Sequence, residues 1–159
     1  MVAGNHWLVA MRNDSSLPDD LILRDFQYPK DYFEVIKLWE NAGPGIHLRR
    51  SDEKEEIAKK LERDPDLFLV AEVGGQIIGS VLGGFDGRRG LVYHLAVEYS
   101  YRYKGIGAAL MTELERRMKQ KGCIRTYLLV TRENTDAARF YETHGWEQMD
   151  LLIYAKNLE

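Results

Sequence analysis

Hydrophobic positions in the first third of the chain recur at spacings that predict one short strand and two helices. The apolar run Leu21–Leu23 is typical of a strand. Residues 30–42 place apolar side chains at i, i+3, i+4 and i+7, which is one face of a helix. A second helix is predicted over residues 52–63, where Asp52 and Glu55 have the spacing of a capping box at its start.

The hydrophobic spacing then changes to a period of two, which indicates a sheet. Apolar runs over 67–73 and 77–82 flank a glycine turn and predict a β-hairpin. The other predicted elements are strands over 91–97, 124–130 and 149–156 and helices over 105–121 and 134–144. This order predicts an α/β fold class, with a mixed, largely antiparallel central sheet flanked by about four helices in a single domain.

Length and local composition predict the domain organisation. A chain of 159 residues has the length of one ordinary domain. Residues 1–20 end in a stretch rich in turn-forming residues, which is typical of a tail joining a domain. We therefore expect an N-terminal extension over residues 1–20 and one domain over residues 21–159.

Composition and charge exclude several kinds of partner and site, and they leave the predicted fold unchanged. With 22 basic and 25 acidic residues, the net charge of −3 gives no reason to expect a nucleic-acid partner. No apolar run approaches the roughly 20 residues of a membrane helix, and no cleavable leader is recognisable. We therefore expect a cytoplasmic protein with no membrane partner. The lone Cys123 cannot form an internal disulfide, and no Cys/His spacing predicts a metal site.

Candidate chemistry begins where the strand over 91–97 leads into the helix over 105–121. The turn between them contains Gly105 and Gly107, together with the cationic Arg102 and Lys104. Free N–H groups at a helix start, close backbone approach at glycine and positive side chains favour a pyrophosphate site. The alternative is that the glycines only permit a tight turn and the cations are solvated. The segment lacks the third glycine of a dinucleotide fingerprint and the Gly-Lys-Ser/Thr of a P-loop.

The predicted helix over 134–144 carries a second candidate group. Asn134 can cap the helix start, and Tyr141 lies two turns further on the same face, about 10 Å away. A phenol with an ordinary pKa of about 10 can protonate a thiolate, whose ordinary pKa is about 8.5. The alternative is that the asparagine only caps the helix and the aromatic residues only pack.

Taken together, the two segments resemble the GCN5-related N-acetyltransferase (GNAT) family. The first motif is Arg-x-x-Gly-x-Gly after a Leu-Ala-Val strand, and the second is Asn-x-x-Ala-x-x-Phe-Tyr-x-x-x-Gly-Trp. The matching residues are Arg102, Gly105, Gly107, Asn134, Ala137, Phe140, Tyr141, Gly145 and Trp146, with tryptophan where the family usually has phenylalanine. The spacing of the motifs and the order of elements from Leu21 to about Lys156 also resemble the family.

The resemblance implies acetyl-CoA as co-substrate and direct transfer of its acetyl group to a primary amine. The turn would hold the pyrophosphate, the strand end would pair with the pantetheine arm, and the Val97 N–H would polarise the thioester carbonyl. Tyr141 would act as the general acid that protonates the departing thiolate. The implied cofactor-binding residues are Leu95, Ala96, Val97, Arg102, Tyr103, Lys104, Gly105, Ile106, Gly107, Ala108, Asn134 and Tyr141.

The amine needs a general base, because an alkylammonium group has a pKa near 10. His94 is one candidate, and Glu72 is another; a histidine without a catalytic role is the alternative for the first. Enzymes of the family that acetylate ribosomal-protein N-termini carry a glutamate where this chain has Leu129. That base and that substrate are therefore in doubt here, and Cys123 is assigned no role.

The resemblance also implies where the acceptor amine, from a small molecule or a peptide, would bind. The connection Gly43–Ser51 is expected to form the acceptor pocket, with the turn over 84–90 adjacent. Arginine pairs in both segments favour an acidic acceptor, and solvated charge runs are the alternative. The apolar run Leu151–Tyr154 would leave a sheet edge needing cover, which favours a homodimer.

Two other functions fit parts of the pattern. A noncatalytic acetyl-CoA-binding or sensing module of the same fold would keep the anion-binding turn and need no general base. A nucleotide-binding protein unrelated to coenzyme A would make the second motif a coincidence.

Overall fold

The computed structural model describes residues 16–158, which contain one five-stranded sheet and four α-helices. The strands are Ile22–Asp25 (β1), Phe68–Val73 (β2), Gln76–Phe85 (β3), Gly90–Val97 (β4) and Thr126–Leu128 (β5). The helices are Tyr32–Glu40 (α1), Lys54–Arg63 (α2), Ile106–Gln120 (α3) and Thr135–Thr143 (α4), with short 3-10 turns at Arg50–Asp52 and Tyr99–Tyr101.

The sheet has the mixed, largely antiparallel character that the sequence predicts. Its strands are hydrogen-bonded in chain order, and β1 to β4 are antiparallel neighbours. Only β5 is parallel, and its register pairs Gly90 with Thr126 and Val92 with Leu128. The predicted fold class is therefore confirmed, and each of the four predicted helices is present within a few residues of its expected bounds.

Each face of the sheet buries the apolar stripe of a helix. On one face, Trp39 of α1 is 1% exposed, stacks on Phe68 and donates from Nε1 to the Ser80 hydroxyl at 2.9 Å. On the opposite face, Leu114 and Met118 of α3 lie against Gly83 of β3. These stripes lie at helical spacing in the sequence, which is why the helices were predictable.

Gly83→Ala is expected to lower the free energy of unfolding by about 1–2 kcal/mol. An added Cβ would lie 2.7 Å from both the Leu114 Cδ1 and the Met118 Cε atoms in a fully packed layer. The matched control is Gly84→Ala on the other face, where the nearest atom would be 3.6 Å away. Urea unfolding of the two variants checks this, and equal midpoints would contradict the described packing.

The described residues up to Leu129 form one compact unit that contains the whole sheet, and those from Val130 form a second. In the second unit, α4 is followed by a turn at residues 144–145, and residues 146–158 contain no helix or strand. Within this unit, Tyr141 makes an edge-on contact with Trp146, with ring centroids 5.9 Å apart.

The predicted final strand over 149–156 is wrong. No strand of the described sheet pairs with it, and the side chains of Leu151 and Tyr154 are 63% and 87% exposed. Apolar character favours a strand, but a strand also needs a neighbouring backbone to bond. The predicted strand over 124–130 is present only at its centre, as β5.

The expectation of an N-terminal extension falls largely on residues 1–15, which lie outside the described residues. The single domain over 21–159, the homodimer and the cytoplasmic location stay predictions. Among residues 16–158, no helix is long and apolar enough to cross a membrane.

Candidate active site

His94 lies at an irregularity in β4 that turns its side chain toward α1. Ser80 pairs with Ala96 and Leu82 pairs with Tyr93, so two residues of β4 stand opposite one residue of β3. This is a β-bulge, and His94 has a φ of 40° there. Positive φ is uncommon for a residue other than glycine, and such strain is concentrated at functional sites.

The His94 imidazole is held between an aromatic ring and a carboxylate. Its ring centroid lies 4.6 Å from that of Trp39, and its Nε2 lies 2.9 Å from the Asp52 Oδ1 atom. The side chains of His94 and Asp52 are 21% and 6% exposed, so solvent reaches the imidazole and hardly reaches the carboxylate. The histidine is therefore oriented by contacts from two other elements of the fold.

The carboxylate of Asp52 is itself fixed by main-chain contacts. Its Oδ2 accepts a hydrogen bond from the Arg49 N–H at 2.9 Å. The main-chain carbonyl of Asp52 also accepts a hydrogen bond, from the Tyr32 hydroxyl at 2.9 Å. Burial would raise the pKa of Asp52, but the hydrogen bonds from His94 and the Arg49 N–H outweigh it and hold the pKa below its ordinary value. Asp52 is thus ionised at neutral pH.

An ionised Asp52 determines which nitrogen of the neutral imidazole carries the proton. A carboxylate only accepts hydrogen bonds, so Nε2 of His94 carries the N–H that it donates to Asp52. The Nδ1 atom then keeps its lone pair, and no described residue bonds to it. The arrangement can accept a proton at Nδ1 while Asp52 stabilises the resulting imidazolium, as in an Asp–His pair.

The sequence interpretation of Asp52 as the first residue of a capping box on the second helix is wrong. The helix starts at Lys54, and Asp52 lies in the preceding 3-10 turn. Its side chain accepts a hydrogen bond from the Arg49 N–H at the start of that turn. The partnership with His94 joins residues 42 positions apart. The sequence points to this pairing only indirectly, because the connection Gly43–Ser51, expected at the acceptor site, directly precedes Asp52.

Beyond the bulge, the sheet opens on the side of β5. The parallel pairing of β4 with β5 stops at Val92, so residues 93–97 have no strand neighbour on that side among the described residues. Leu95, Ala96 and Val97, the predicted pairing segment for the pantetheine arm, all lie in this opened stretch. The exposed backbone edge can therefore bond an extended ligand, as an added strand would.

The predicted anion-binding turn presents a continuous row of free donors. No described residue accepts a hydrogen bond from any backbone N–H of residues 103–108. Gly105 is the N-cap of α3 with a φ of 81°, and Tyr103 also has a positive φ of 61°. Successive N–H groups in such a turn, at the positive end of a helix dipole, form a concave site for an anion.

The Arg102 guanidinium bonds two main-chain carbonyl groups, in contrast to the solvated side chain that the sequence leaves as an alternative. Its Nε donates to the Val97 carbonyl at 3.1 Å, and its Nη2 donates to the Ala42 carbonyl at 2.7 Å. It therefore ties the turn to the end of β4 and to the residues after α1. Lys104 remains exposed, with its Nζ 5.6 Å from the centre of the Tyr101 ring.

In the second unit, α4 places the other two predicted residues. Asn134 caps the helix, because its Oδ1 accepts the Ala137 N–H at 3.2 Å, which leaves the amide NH₂ for another partner. Burial raises the pKa of Tyr141 to about 12. The phenol is therefore fully protonated at neutral pH and can serve only as a proton donor there.

The alternative base, Glu72, is committed to the core of the sheet. Its Oε2 accepts a hydrogen bond from the Arg24 Nε at 2.8 Å, and Arg24 also pairs with the buried Asp31 at 2.6 Å. The Glu72 carboxylate is therefore engaged in an ion pair with Arg24. The structure thus favours His94 over Glu72.

The model of the Acetyltransferase (GNAT) family matches residues 30–146. An acetyltransferase of Pectobacterium atrosepticum is 42% identical over 128 residues, which are 80% of this chain and 89% of that protein.

Two solved structures superpose on the chain. The PaiA N-acetyltransferase from Thermoplasma acidophilum, in complex with coenzyme A, has a TM-score of 0.71 at 23% identity over 82% of this chain and 92% of that chain. A chain of the NatC complex, bound to Gag peptide and CoA, has a TM-score of 0.70 at 22% identity over 82% of this chain and 87% of that chain. At these identities the two structures establish a common fold.

Proposed function

This chain belongs to the acetyltransferase (GNAT) family, and we propose that it moves the acetyl group of acetyl-CoA directly to a primary amine of a small molecule or peptide. The observation that carries the proposal is the His94–Asp52 pair, held at 2.9 Å where the sheet opens. Amine acetylation needs a base that takes the ammonium proton. The unpaired strand edge beside that base can hold the pantetheine arm.

The row of N–H groups over residues 103–108 supports coenzyme A binding. These donors and the start of α3 would bind the pyrophosphate, and residues 95–97 would bond the pantetheine arm. The relative solved with coenzyme A has the same fold, which agrees with this assignment. Acetyl-CoA would supply an activated thioester. Residues of this chain would bind it, transfer the protons and stabilise the oxyanion.

His94 would remove the proton that blocks attack. Its Nδ1 takes a proton from the acceptor ammonium, and Asp52 stabilises the imidazolium that forms. The freed nitrogen lone pair forms a bond to the acetyl carbon, and the Val97 N–H stabilises the developing oxyanion. When the carbon–sulfur bond breaks, Tyr141 would donate its phenolic proton to the departing sulfur. The attacking nitrogen would lose its second proton to solvent, from which the Tyr141 phenolate would be reprotonated.

The proposed reaction is tested by release of free CoA thiol from acetyl-CoA over a panel of amines. The panel contains amino acids, polyamines, aminoglycosides and short peptides. We expect thiol release that depends on the enzyme and on at least one amine class. Saturable acetyl-CoA binding with no release across the panel would instead favour the noncatalytic binding or sensing module.

Gly105→Ala is expected to weaken CoA binding about 10-fold. Alanine is strained at a φ of 81°, and relief of that strain would rotate the peptide groups that present the N–H donors. Gly122→Ala is the matched control, since Gly122 has a φ of 91° after the other end of α3 and an added Cβ would meet no atom within 4 Å. Calorimetry with CoA measures both, and equal losses would contradict the assignment of this turn.

A further inference from the structure

A second concave region lies on the face of the sheet that carries α2. It is a cavity of about 550 Å³ between the C-terminal end of α2 and the ends of β3, β4 and β5. Gly84 forms part of its floor: an added Cβ there would lie 3.6 Å from the Lys60 Nζ and 3.7 Å from the Tyr93 Cε2. The lack of a side chain at this position keeps the cavity open.

The acidic groups that line the cavity are already bonded within the protein. Asp64 pairs with Lys60, one helical turn before it. The Asp86 Oδ1 accepts the N–H groups of Arg88 and Arg89 at 2.7 Å each, and these bonds hold the pKa of Asp86 below its ordinary value. Asp64 is therefore neutralised by Lys60, whereas Asp86 is fixed within its own turn and stays ionised.

Two arginines of the lining, by contrast, retain most of their donors. Arg63 donates from Nη2 to the Phe85 carbonyl at 3.3 Å, and Arg89 donates from Nη1 to the Tyr127 hydroxyl at 2.7 Å. Within the described residues, neither guanidinium forms an ion pair. Each guanidinium has five N–H donors, so both can still bind a carboxylate or another oxyanion.

This cavity and His94 lie on the same face of the sheet. Tyr93 lines the cavity and directly precedes His94, which contacts Trp39 of α1 on that face. From His94 to Gly90, at the arginine end of the cavity, β4 advances four residues. At about 3.3 Å per residue, the two ends are about 13 Å apart.

We propose that the cavity is the acceptor subsite for an extended peptide that presents its N-terminal amine to His94 and an acidic side chain to Arg63 and Arg89. The inference rests on the proposed acetyl transfer and adds the class of acceptor. Free amino acids are too short to span about 13 Å, whereas an extended peptide covers it in about four residues. The lining carries three cations, Lys60, Arg63 and Arg89, against two carboxylates, so a polycationic polyamine is disfavoured.

The test uses alanine-rich hexapeptides with a free N-terminal amine and an amidated C-terminus. Each carries a single aspartate at position 2, 3, 4 or 5, and asparagine replaces it in the matched peptide. We expect kcat/KM to be about 10-fold higher for aspartate than for asparagine, with the largest ratio at position 4 or 5. A ratio of one at every position would overturn the proposal.

Arg63→Gln and Arg89→Gln link that preference to the cavity. Each substitution is expected to reduce the aspartate-to-asparagine ratio severalfold, and both together should abolish it while KM for acetyl-CoA stays constant. Arg88→Gln is the control, because Arg88 is exposed on the same turn and does not line the cavity. A ratio unchanged in the double variant would also overturn the proposal.

Fluorescence anisotropy of the labelled aspartate peptide separates this proposal from the proposed reaction. Arginine-dependent binding without acetylation of any amine would refute the reaction and leave the acidic-peptide subsite standing. Acetylation of neutral and acidic peptides at equal rates, with equal binding, would refute the subsite and leave the reaction standing.

Discussion

Replacing His94 with glutamine is expected to lower kcat/KM for the acetylated amine by about 10²- to 10⁴-fold. Glutamine keeps a polar side chain of similar reach but cannot take up a proton, so the ammonium form of the acceptor would persist. The affinity for CoA should stay unchanged, because the N–H groups of residues 103–108 come from another segment. Initial rates and calorimetry with CoA measure the two quantities separately.

Asp52→Asn should produce a smaller loss in the same direction. An asparagine can present its NH₂ group to Nε2, which would turn the histidine into the tautomer with its proton on Nδ1. The loss in Asp52→Asn should appear in kcat/KM for the amine and leave the affinity for CoA unchanged. His144→Gln is the control, since among the described residues that exposed histidine bonds and packs against its own helix, through the Phe140 carbonyl and ring.

A rate in His94→Gln within about twofold of the wild type would contradict the role of the histidine. In that event a water chain would have to carry the proton, because Glu72 is paired with Arg24. A loss of CoA affinity equal to the loss of rate would show that the substitution disturbs the strand edge as a whole.

Tyr141→Phe is expected to lower kcat by about 10²-fold, at the lower end of what a general acid contributes. Phenylalanine keeps the ring contacts with Phe140 and Trp146 and removes only the hydroxyl proton. With a pKa of about 12, the phenol should stay protonated throughout the range from neutral pH to about pH 10. The wild-type enzyme should therefore show no alkaline loss of kcat from this group in that range.

Tyr154→Phe is the matched control, since Tyr154 is 87% exposed and lies outside any helix or strand. Its rate should equal that of the wild type. An unchanged kcat in Tyr141→Phe would remove the tyrosine from the proposed mechanism, and the thiolate would then leave without protein assistance. Binding of CoA should be the same in both variants.

The parts of the fold that the sequence predicts are those fixed by local periodicity. The stripe of α3 and the glycine turn between β2 and β3 are visible in short windows, and both elements are present. The wrong strand over 149–156 has equally strong apolar character. Among residues 16–158 it has no pairing partner, and pairing depends on long-range contacts that no local window contains.

The candidate site likewise has one part that local sequence predicts and another that depends on long-range contacts. The anion-binding turn is contiguous, so its glycines and its helix start could be recognised together, and residues 103–108 have the expected free N–H groups. The pairing of His94 with Asp52 depends on a bulge in β4 and on a 3-10 turn 42 positions earlier. Neither irregularity has a signature in composition or spacing, and the spacing of Asp52 indicates a helix cap instead.

The role of Arg102 shows a further limit of sequence reasoning. A cation beside two glycines indicates a phosphate contact, but two of its donors bond the carbonyls of Val97 and Ala42. Only the folded chain reveals that the carbonyl oxygens lie within reach. The charge of Arg102 still adds to the positive field of the turn, because a guanidinium remains charged when it bonds a carbonyl.

Direct transfer would leave the acetyl group bound to the amine nitrogen of the acceptor. Mass spectrometry of the acceptor after reaction with isotope-labelled acetyl-CoA tests it most directly. We expect one labelled acetyl group, bound as an amide at the acceptor nitrogen, for each CoA thiol released, with both signals lost together in His94→Gln. Thiol release with an unlabelled acceptor, or label retained on the protein, would contradict it.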